Sequence, residues 1–158
     1  NGNLPGELMS YVFAQMTPGA SLSKYTIGLL DTFDDEKKLL NFLRMEKWIF
    51  DSPDQAGEAF RQFIKDFYQG NKLVKGGLRI GEREVSLANI TMPVLNVFAE
   101  QDHLVPPSAS RVLGEHVGTK DYTQIAFRGG HIGIYVSGRA QREVPSAIHD
   151  WLAQRAGP

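Results

Sequence analysis

The chain contains no cysteine among its 158 residues. That absence excludes disulfides, thiolate metal sites and a cysteine nucleophile within this sequence. The 17 basic and 18 acidic residues nearly cancel, so there is no basic field to hold nucleic acid. No apolar run approaches the ~20 residues of a membrane span, and the four histidines lack metal-ligand spacing. What is present, 42% hydrophobic and 22% charged residues, is typical of a globular domain.

The first half of the chain is predicted to be helical. Apolar residues recur at helical spacing in four segments, residues 5–15, 22–30, 35–48 and 53–69. Asp34 is the expected N-cap of the third helix. The fourth is expected to begin with a capping box at residues 52–55 (SPDQ), with proline at its first position, and to end at Gly70. We therefore predict a helical lid or cap segment with a lead-in hairpin over residues 1–85.

The second half changes to the period of strands. Residues 78–87 predict a hairpin that turns at Gly81 and Glu82. Two apolar runs, residues 92–99 and 121–127, predict strands of a parallel sheet, with helices after each at 108–116 and near the end of the chain. An α/β fold follows, with its core over residues 86–158. Because two strands leave their faces partly uncovered, and because the chain begins without methionine, we expect it to be part of a longer polypeptide.

Each predicted parallel strand ends in a polar loop, one with Asp102 and the other with His131. In open α/β sheets, sites form at the carboxyl ends of the strands. A carboxylate there can hold one imidazole nitrogen while the other takes a proton from a nucleophile. Either residue alone is often only a turn residue or a partner of the backbone. Their matching contexts, and the glycines that flank His131, favour a catalytic Asp–His pair.

The nucleophile of such a site is missing from the chain. A nucleophile elbow has the pattern Gly-x-Ser/Cys-x-Gly between a strand and a helix, and no segment has it. His103 follows Asp102 directly, and two interpretations stay open for it. It is either a solvent-facing loop residue or a polar contact to substrate at the mouth of the site.

Three segments resemble polyhydroxyalkanoate (poly-3-hydroxybutyrate) synthases, most closely the catalytic subunit of the two-subunit class III type. They are EKWIFDSPDQAGEAFRQFIKDFYQ (46–69), MPVLNVFAEQDHLVPP (92–107) and FRGGHIGIYVSG (127–138). The resemblance covers essentially the whole chain but only the C-terminal part of the family's polypeptide. It implies an α/β-hydrolase fold preceded by a helical lid, with a Cys–His–Asp triad. Asp102 and His131 match the family's aspartate and histidine, and the cysteine lies upstream. His103 matches as well, which favours a substrate contact.

The resemblance also implies an activity and a setting. The family are acyltransferases that polymerise 3-hydroxyacyl groups from coenzyme A thioesters into polyester. No cofactor is expected, because coenzyme A is the leaving group. The implied partners are the growing polyester chain, a second copy in a homodimer and a second, non-catalytic synthase subunit, at the surface of cytoplasmic granules. Without the elbow cysteine, this chain alone is expected to be inactive.

Two other functions remain compatible with the sequence. One is part of an esterase or thioesterase of the α/β-hydrolase type, whose upstream elbow would carry serine instead of cysteine. The other is a non-catalytic module whose helical half serves dimerisation or granule binding. Replacement of His131 separates the last from both enzymes, because an interaction module does not depend on an imidazole base.

Overall fold

The computed structural model describes residues 2–16 and 18–156. The chain divides into two compact units, with the boundary between Asn71 and Lys72. The sequence predicted a lid or cap segment up to residue 85 and a hydrolase core from residue 86. That functional division stays a prediction. Within the described ranges, no helix is both long enough and apolar enough to cross a membrane.

The first unit is helical, as the apolar periodicity predicted. Its helices are α1 (Gly6–Met16), α2 (Pro18–Ser23, continuing as a π-helical turn over Lys24–Gly28), α3 (Glu36–Phe50) and α4 (Gly57–Gln62, continuing π-helically over Phe63–Gln69). The second helical segment begins earlier than predicted, at Pro18 rather than at residue 22. Many large apolar side chains of this helical unit remain exposed, among them Tyr11, Leu22 and Trp48.

Two predicted helix starts in this unit are wrong. The N-cap of α3 is Asp35, not Asp34: Asp35 has extended backbone, and its carboxylate accepts from the Lys38 N–H at 3.1 Å. Residues 52–55 form no capping box, because α4 begins only at Gly57. The Asp54 carboxylate instead accepts from the Gly6 N–H at 3.0 Å and so caps α1. The local pattern had assigned the Asp54 carboxylate to the start of the fourth helix, but it makes a tertiary contact instead.

The junction between α1 and the segment after α3 requires a glycine. Leu4 pairs with Gln55 in an isolated antiparallel bridge, with N–H···O distances of 2.8 and 2.9 Å in the two directions. A Cβ at Gly6 would lie 1.9 Å from the carbonyl oxygen of Ser52. The chain can approach so closely only because glycine has no side chain.

The second unit contains the strands and confirms the α/β class. It comprises α5 (Lys72–Lys75), β1 (Leu78–Ile80), β2 (Arg83–Val85), a 3₁₀ turn (Leu87–Asn89), β3 (Val94–Ala99), α6 (Pro107–Arg111, extended by a 3₁₀ turn over Val112–Glu115), β4 (Tyr122–Phe127), α7 (Gly133–Val136) and α8 (Ala140–Ala153). β1 and β2 form the predicted antiparallel hairpin. Gly81 takes a positive φ of 59° in its turn, a conformation that favours glycine.

β3 and β4 are parallel neighbours, as the two apolar runs predicted. Their register pairs Val94 with Tyr122 at one end and Ala99 with Phe127 at the other. The carboxyl ends of both strands are their most buried parts, and a core cluster lies there: Ala99, Phe127, Ile134 and Ala140. Two strands that end in register on one core bring the loops that follow them to the same edge of the sheet.

The last helix is fastened to the opposite end of β4. Arg155 donates from Nε to one carboxylate oxygen of Asp121 at 2.8 Å and from a terminal nitrogen to the other. Trp151 donates its indole N–H to Thr123 at 3.1 Å, and the Arg155 guanidinium lies 4.1 Å from the Trp151 ring centroid. These contacts fix α8 along the sheet, while Ala140 at its start is buried in the core cluster.

Candidate active site

The loops after β3 and β4 continue the hydrogen bonding of the sheet. Beyond the last strand residues, the Glu100 N–H donates to the Phe127 carbonyl at 2.8 Å. The Gln101 N–H then donates to the Gly129 carbonyl at 2.9 Å. The two loops therefore leave the sheet side by side. Asp102 is the next residue in one loop, and His131 follows two residues after Gly129 in the other.

Asp102 is held by its own loop. Its Oδ1 accepts from the backbone N–H groups of Leu104 at 2.9 Å and Val105 at 2.8 Å. The side chain is 10% exposed. The loop then ends at Pro107, where α6 begins. Because one carboxylate oxygen is occupied by backbone donors, the other is directed to a single remaining partner.

That partner is His131, whose Nδ1 lies 2.7 Å from Oδ2 of Asp102. The imidazole is more open than the carboxylate, with 39% of its side chain exposed. A short helix follows directly, and the Ile134 N–H donates to the Gly130 carbonyl at 3.3 Å. A carboxylate only accepts hydrogen bonds, so Nδ1 carries the proton and donates it to Asp102. Nε2 is thereby left as the basic nitrogen of the ring.

The electrostatics keep Asp102 ionised. Burial alone raises the pKa of the carboxyl group. Hydrogen bonds from Val105, His131 and Leu104 act in the opposite direction, and the net result is an Asp102 pKa below its ordinary value. An ionised carboxylate beside Nδ1 stabilises the imidazolium that forms when Nε2 takes a proton. The pair has the geometry of a general base with its orienting group.

Two other histidines lie outside the hydrogen bond between His131 and Asp102. His103 is exposed in the Asp102 loop. His149 is exposed on α8, where its Nδ1 lies 3.2 Å from the carboxylate of the neighbouring Asp150. Within residues 2–16 and 18–156, no three or more His, Asp or Glu side chains are grouped as a metal would require.

The sequence identified the two side chains but missed the groups that hold them. The Leu104 and Val105 N–H groups fix the carboxylate, and Gly129 links the loops. A signal for the first was present. An aspartate followed by a short loop commonly accepts from backbone N–H groups two and three residues later.

Comparison with known proteins gives a consistent result. A family model described as alpha/beta hydrolase fold matches residues 4–137. The chain is 58% identical over 154 residues to the poly(3-hydroxyalkanoate) polymerase subunit PhaC of Allochromatium vinosum, 55% over 156 residues to that of a Synechocystis, and 37% over 155 residues to that of Haloferax mediterranei. Each match covers 98% of this chain. No solved structure matches it.

The chain spans less than half the length of these relatives. It covers 43% of the Allochromatium protein, 41% of the Synechocystis protein and 32% of the Haloferax protein. The resemblance to polyhydroxyalkanoate synthases is confirmed over nearly the whole chain. Fold class and family also agree, because the parallel pair of β3 and β4 with its connecting helix is the α/β arrangement that the family description names. The chain belongs to the alpha/beta hydrolase fold family.

Proposed function

We propose that this chain supplies the Asp–His part of the active site of a polyhydroxyalkanoate polymerase. The observation that carries the proposal is the 2.7 Å contact between His131 Nδ1 and Asp102 Oδ2, at the carboxyl ends of adjacent parallel strands. The relatives named above are polymerase subunits, and their similarity extends through both loops. The substrate class is 3-hydroxyacyl coenzyme A, and the reaction is acyl transfer.

In the proposed reaction, His131 Nε2 removes the proton from a cysteine thiol carried on an elbow outside this sequence. The thiolate attacks the thioester carbonyl, the carbon–sulfur bond to coenzyme A breaks, and the protonated imidazole returns its proton to the departing coenzyme A thiolate. The 3-hydroxyl of the next acyl group then attacks the carbonyl of the enzyme thioester, and the carbon–sulfur bond to the cysteine breaks. The same nitrogen takes the hydroxyl proton and passes it to the released cysteine thiolate. Asp102 holds the imidazole throughout. General-base assistance of this kind typically contributes roughly a hundred- to ten-thousand-fold.

The remaining elements of the proposal concern substrate and partners. His103 is exposed beside Asp102, a location suited to a polar contact with incoming substrate. No cofactor is needed, since coenzyme A leaves as the thiol. The word subunit in the names of the relatives supports a second polypeptide in the working enzyme. A homodimer at the surface of a cytoplasmic polyester granule completes the proposed setting.

The test measures coenzyme A release from 3-hydroxybutyryl coenzyme A, with polyester formation as the second readout. It compares this chain alone, the complete natural polypeptide that contains it, and the His131→Ala variant of each. The expected result is no release by the chain alone and release with polymer by the complete polypeptide. His131→Ala abolishes both. The Asp150→Asn exchange in the exposed His149–Asp150 pair is the matched control and leaves both rates unchanged.

Each alternative gives a different pattern. Release of coenzyme A without polymer, with serine at the elbow, identifies a thioesterase. Full activity of the His131→Ala polypeptide identifies an interaction module and refutes the proposed role of the dyad. Release by the 158-residue chain alone that depends on His131 means that the nucleophile lies within this sequence.

A further inference from the structure

The loop that carries His131 lies on the ring of a core residue. Phe127 is the last residue of β4 and is 5% exposed. A Cβ built on Gly129 would lie 2.9 Å from Cε1 and 3.2 Å from Cδ1 of that ring. The first distance is shorter than a carbon contact allows, so the backbone at Gly129 rests directly against the edge of Phe127 with no room for a side chain.

The Phe127 ring cannot yield easily to a larger neighbour. It packs in the core cluster with Ala99, Ile134 and Ala140. The guanidinium of Arg139 lies 5.5 Å from the ring centroid. Because protein interiors are close-packed, a displaced ring has to displace these neighbours as well. Movement of the loop away from the sheet is the cheaper response to an added methyl group.

The same glycine also joins the loop to the one that carries Asp102. Its carbonyl accepts from the N–H of Gln101, the residue directly before Asp102, at 2.9 Å. A loop lifted off Phe127 therefore lengthens or breaks that bond. It also moves His131, two residues further on, away from the carboxylate.

We propose that Gly129 is a positioning residue, whose close approach to Phe127 sets the separation of the two loops and thereby the contact between His131 and Asp102. Its consequence for catalysis rests on the proposed function. The contact itself does not, and it can be measured in a protein of any activity.

Two neighbouring glycines provide matched controls. A Cβ at Gly130 would meet only the Gln101 carbonyl oxygen, at 3.7 Å, and a Cβ at Gly133 would meet nothing within 4 Å. None of the three glycines has a positive φ, so alanine at each differs in steric contact rather than in backbone strain. The close approach to the ring distinguishes Gly129 from both controls.

The experiment compares Gly129→Ala, Gly130→Ala and Gly133→Ala in the complete natural polypeptide. The primary readout is the low-field NMR signal of the His131 Nδ1 proton, assigned by its loss in Asp102→Asn. We expect Gly129→Ala to lose or broaden the signal and both controls to keep it. Where the polypeptide polymerises substrate, kcat falls roughly a hundredfold in Gly129→Ala, the scale expected for a misplacement of about 1 Å, with KM little changed.

A second-site change distinguishes positioning from general damage. Phe127→Leu removes the ring edge that the added methyl group meets. We expect Phe127→Leu alone to weaken the signal and the double variant Gly129→Ala/Phe127→Leu to restore it above either single variant. The proposal is overturned if Gly129→Ala keeps the signal, if Gly130→Ala loses it equally, or if the double variant is no better than the single ones. Should Gly129→Ala fail to fold, an unchanged signal in Phe127→Leu overturns it as well.

Discussion

Replacement of Asp102 by asparagine tests the site most directly. The amide has nearly the shape of the carboxylate, and its carbonyl oxygen can still accept from the N–H groups of Leu104 and Val105, which hold Oδ1 at 2.9 and 2.8 Å. The amide nitrogen then faces Nδ1 of His131, where Oδ2 lay at 2.7 Å. An amide NH₂ only donates, so the imidazole has to carry its proton on Nε2 instead.

The expected loss of kcat in Asp102→Asn has two parts. A hydrogen bond to a charged group contributes about 1.5–3 kcal/mol, and its loss from the imidazolium-forming step lowers the rate roughly ten- to a hundredfold. The change of tautomer removes the basic nitrogen from the side that faces the nucleophile, which adds to this loss. In triads of the Ser–His–Asp type, the same exchange lowers kcat by about ten-thousand-fold. We expect a loss of that order in the complete polypeptide.

Two measurements check this prediction. Coenzyme A release gives kcat, and imidazole ¹⁵N shifts of labelled histidine report which ring nitrogen of His131 carries the proton. The control is Asp150→Asn, which makes the same exchange beside His149, where the side chains are 80% and 73% exposed. It is expected to change neither quantity. A kcat within about tenfold of the wild type for Asp102→Asn, or an unchanged tautomer, refutes the assignment of Asp102 as the orienting group.

Three further predictions concern ionisation. Hydrogen bonding to Glu46, with burial, raises the pKa of Tyr25 to about 12. Glu46→Gln should therefore bring the Tyr25 pKa back towards 10 in an ultraviolet titration of the phenol. An unchanged pKa contradicts the contact. Arg155 lowers the pKa of Asp121 through its hydrogen bonds, and a lowered pKa stabilises the fold above the ordinary value of 3.8. Arg155→Met should therefore lower the urea midpoint of unfolding at pH 7. This difference from the wild type should disappear as the pH falls through the folded-state pKa of Asp121. A difference in midpoint that is the same at every pH excludes the ion pair as its cause. The Asp102 pKa is lowered too. The unfolding free energy of Asp102→Asn should therefore decrease less steeply than that of the wild type as the pH falls below 3.8. An identical decrease in the wild type and the variant contradicts the lowered pKa.

The helix starts illustrate where local pattern is insufficient. Asp34 and Asp35 are adjacent and equally good cap residues. Asp35 is the N-cap because its N–H donates to the Thr32 carbonyl at 3.1 Å and closes the preceding turn. Its carboxylate is then directed at the first turn of α3. At residues 52–55 the pattern for a helix start was complete, but Asp54 caps α1, 48 residues earlier in the chain. Long-range partners of this kind leave no local signal.

Several features of this protein were determined by sequence alone. The alternating and continuous apolar runs predicted the hairpin and both parallel strands, because side-chain burial follows the period of the backbone. Gly81 predicted the turn, because few other residues adopt a positive φ. The positions of Asp102 and His131, each in the loop after a strand, predicted that the two side chains lie together, because parallel neighbouring strands bring their carboxyl ends together.

Tertiary structure alone decided how that pair is held. The 2.7 Å contact depends on Gln101 bonding to Gly129, on two backbone N–H groups that orient the carboxylate, and on the ring of Phe127 beneath the His131 loop. The Gln101–Gly129 bond and the His131–Asp102 contact join residues far apart in the chain, and their distances are set by packing rather than by periodicity. Sequence pattern therefore determined which side chains reach the edge of the sheet, and packing decided that they meet at hydrogen-bonding distance.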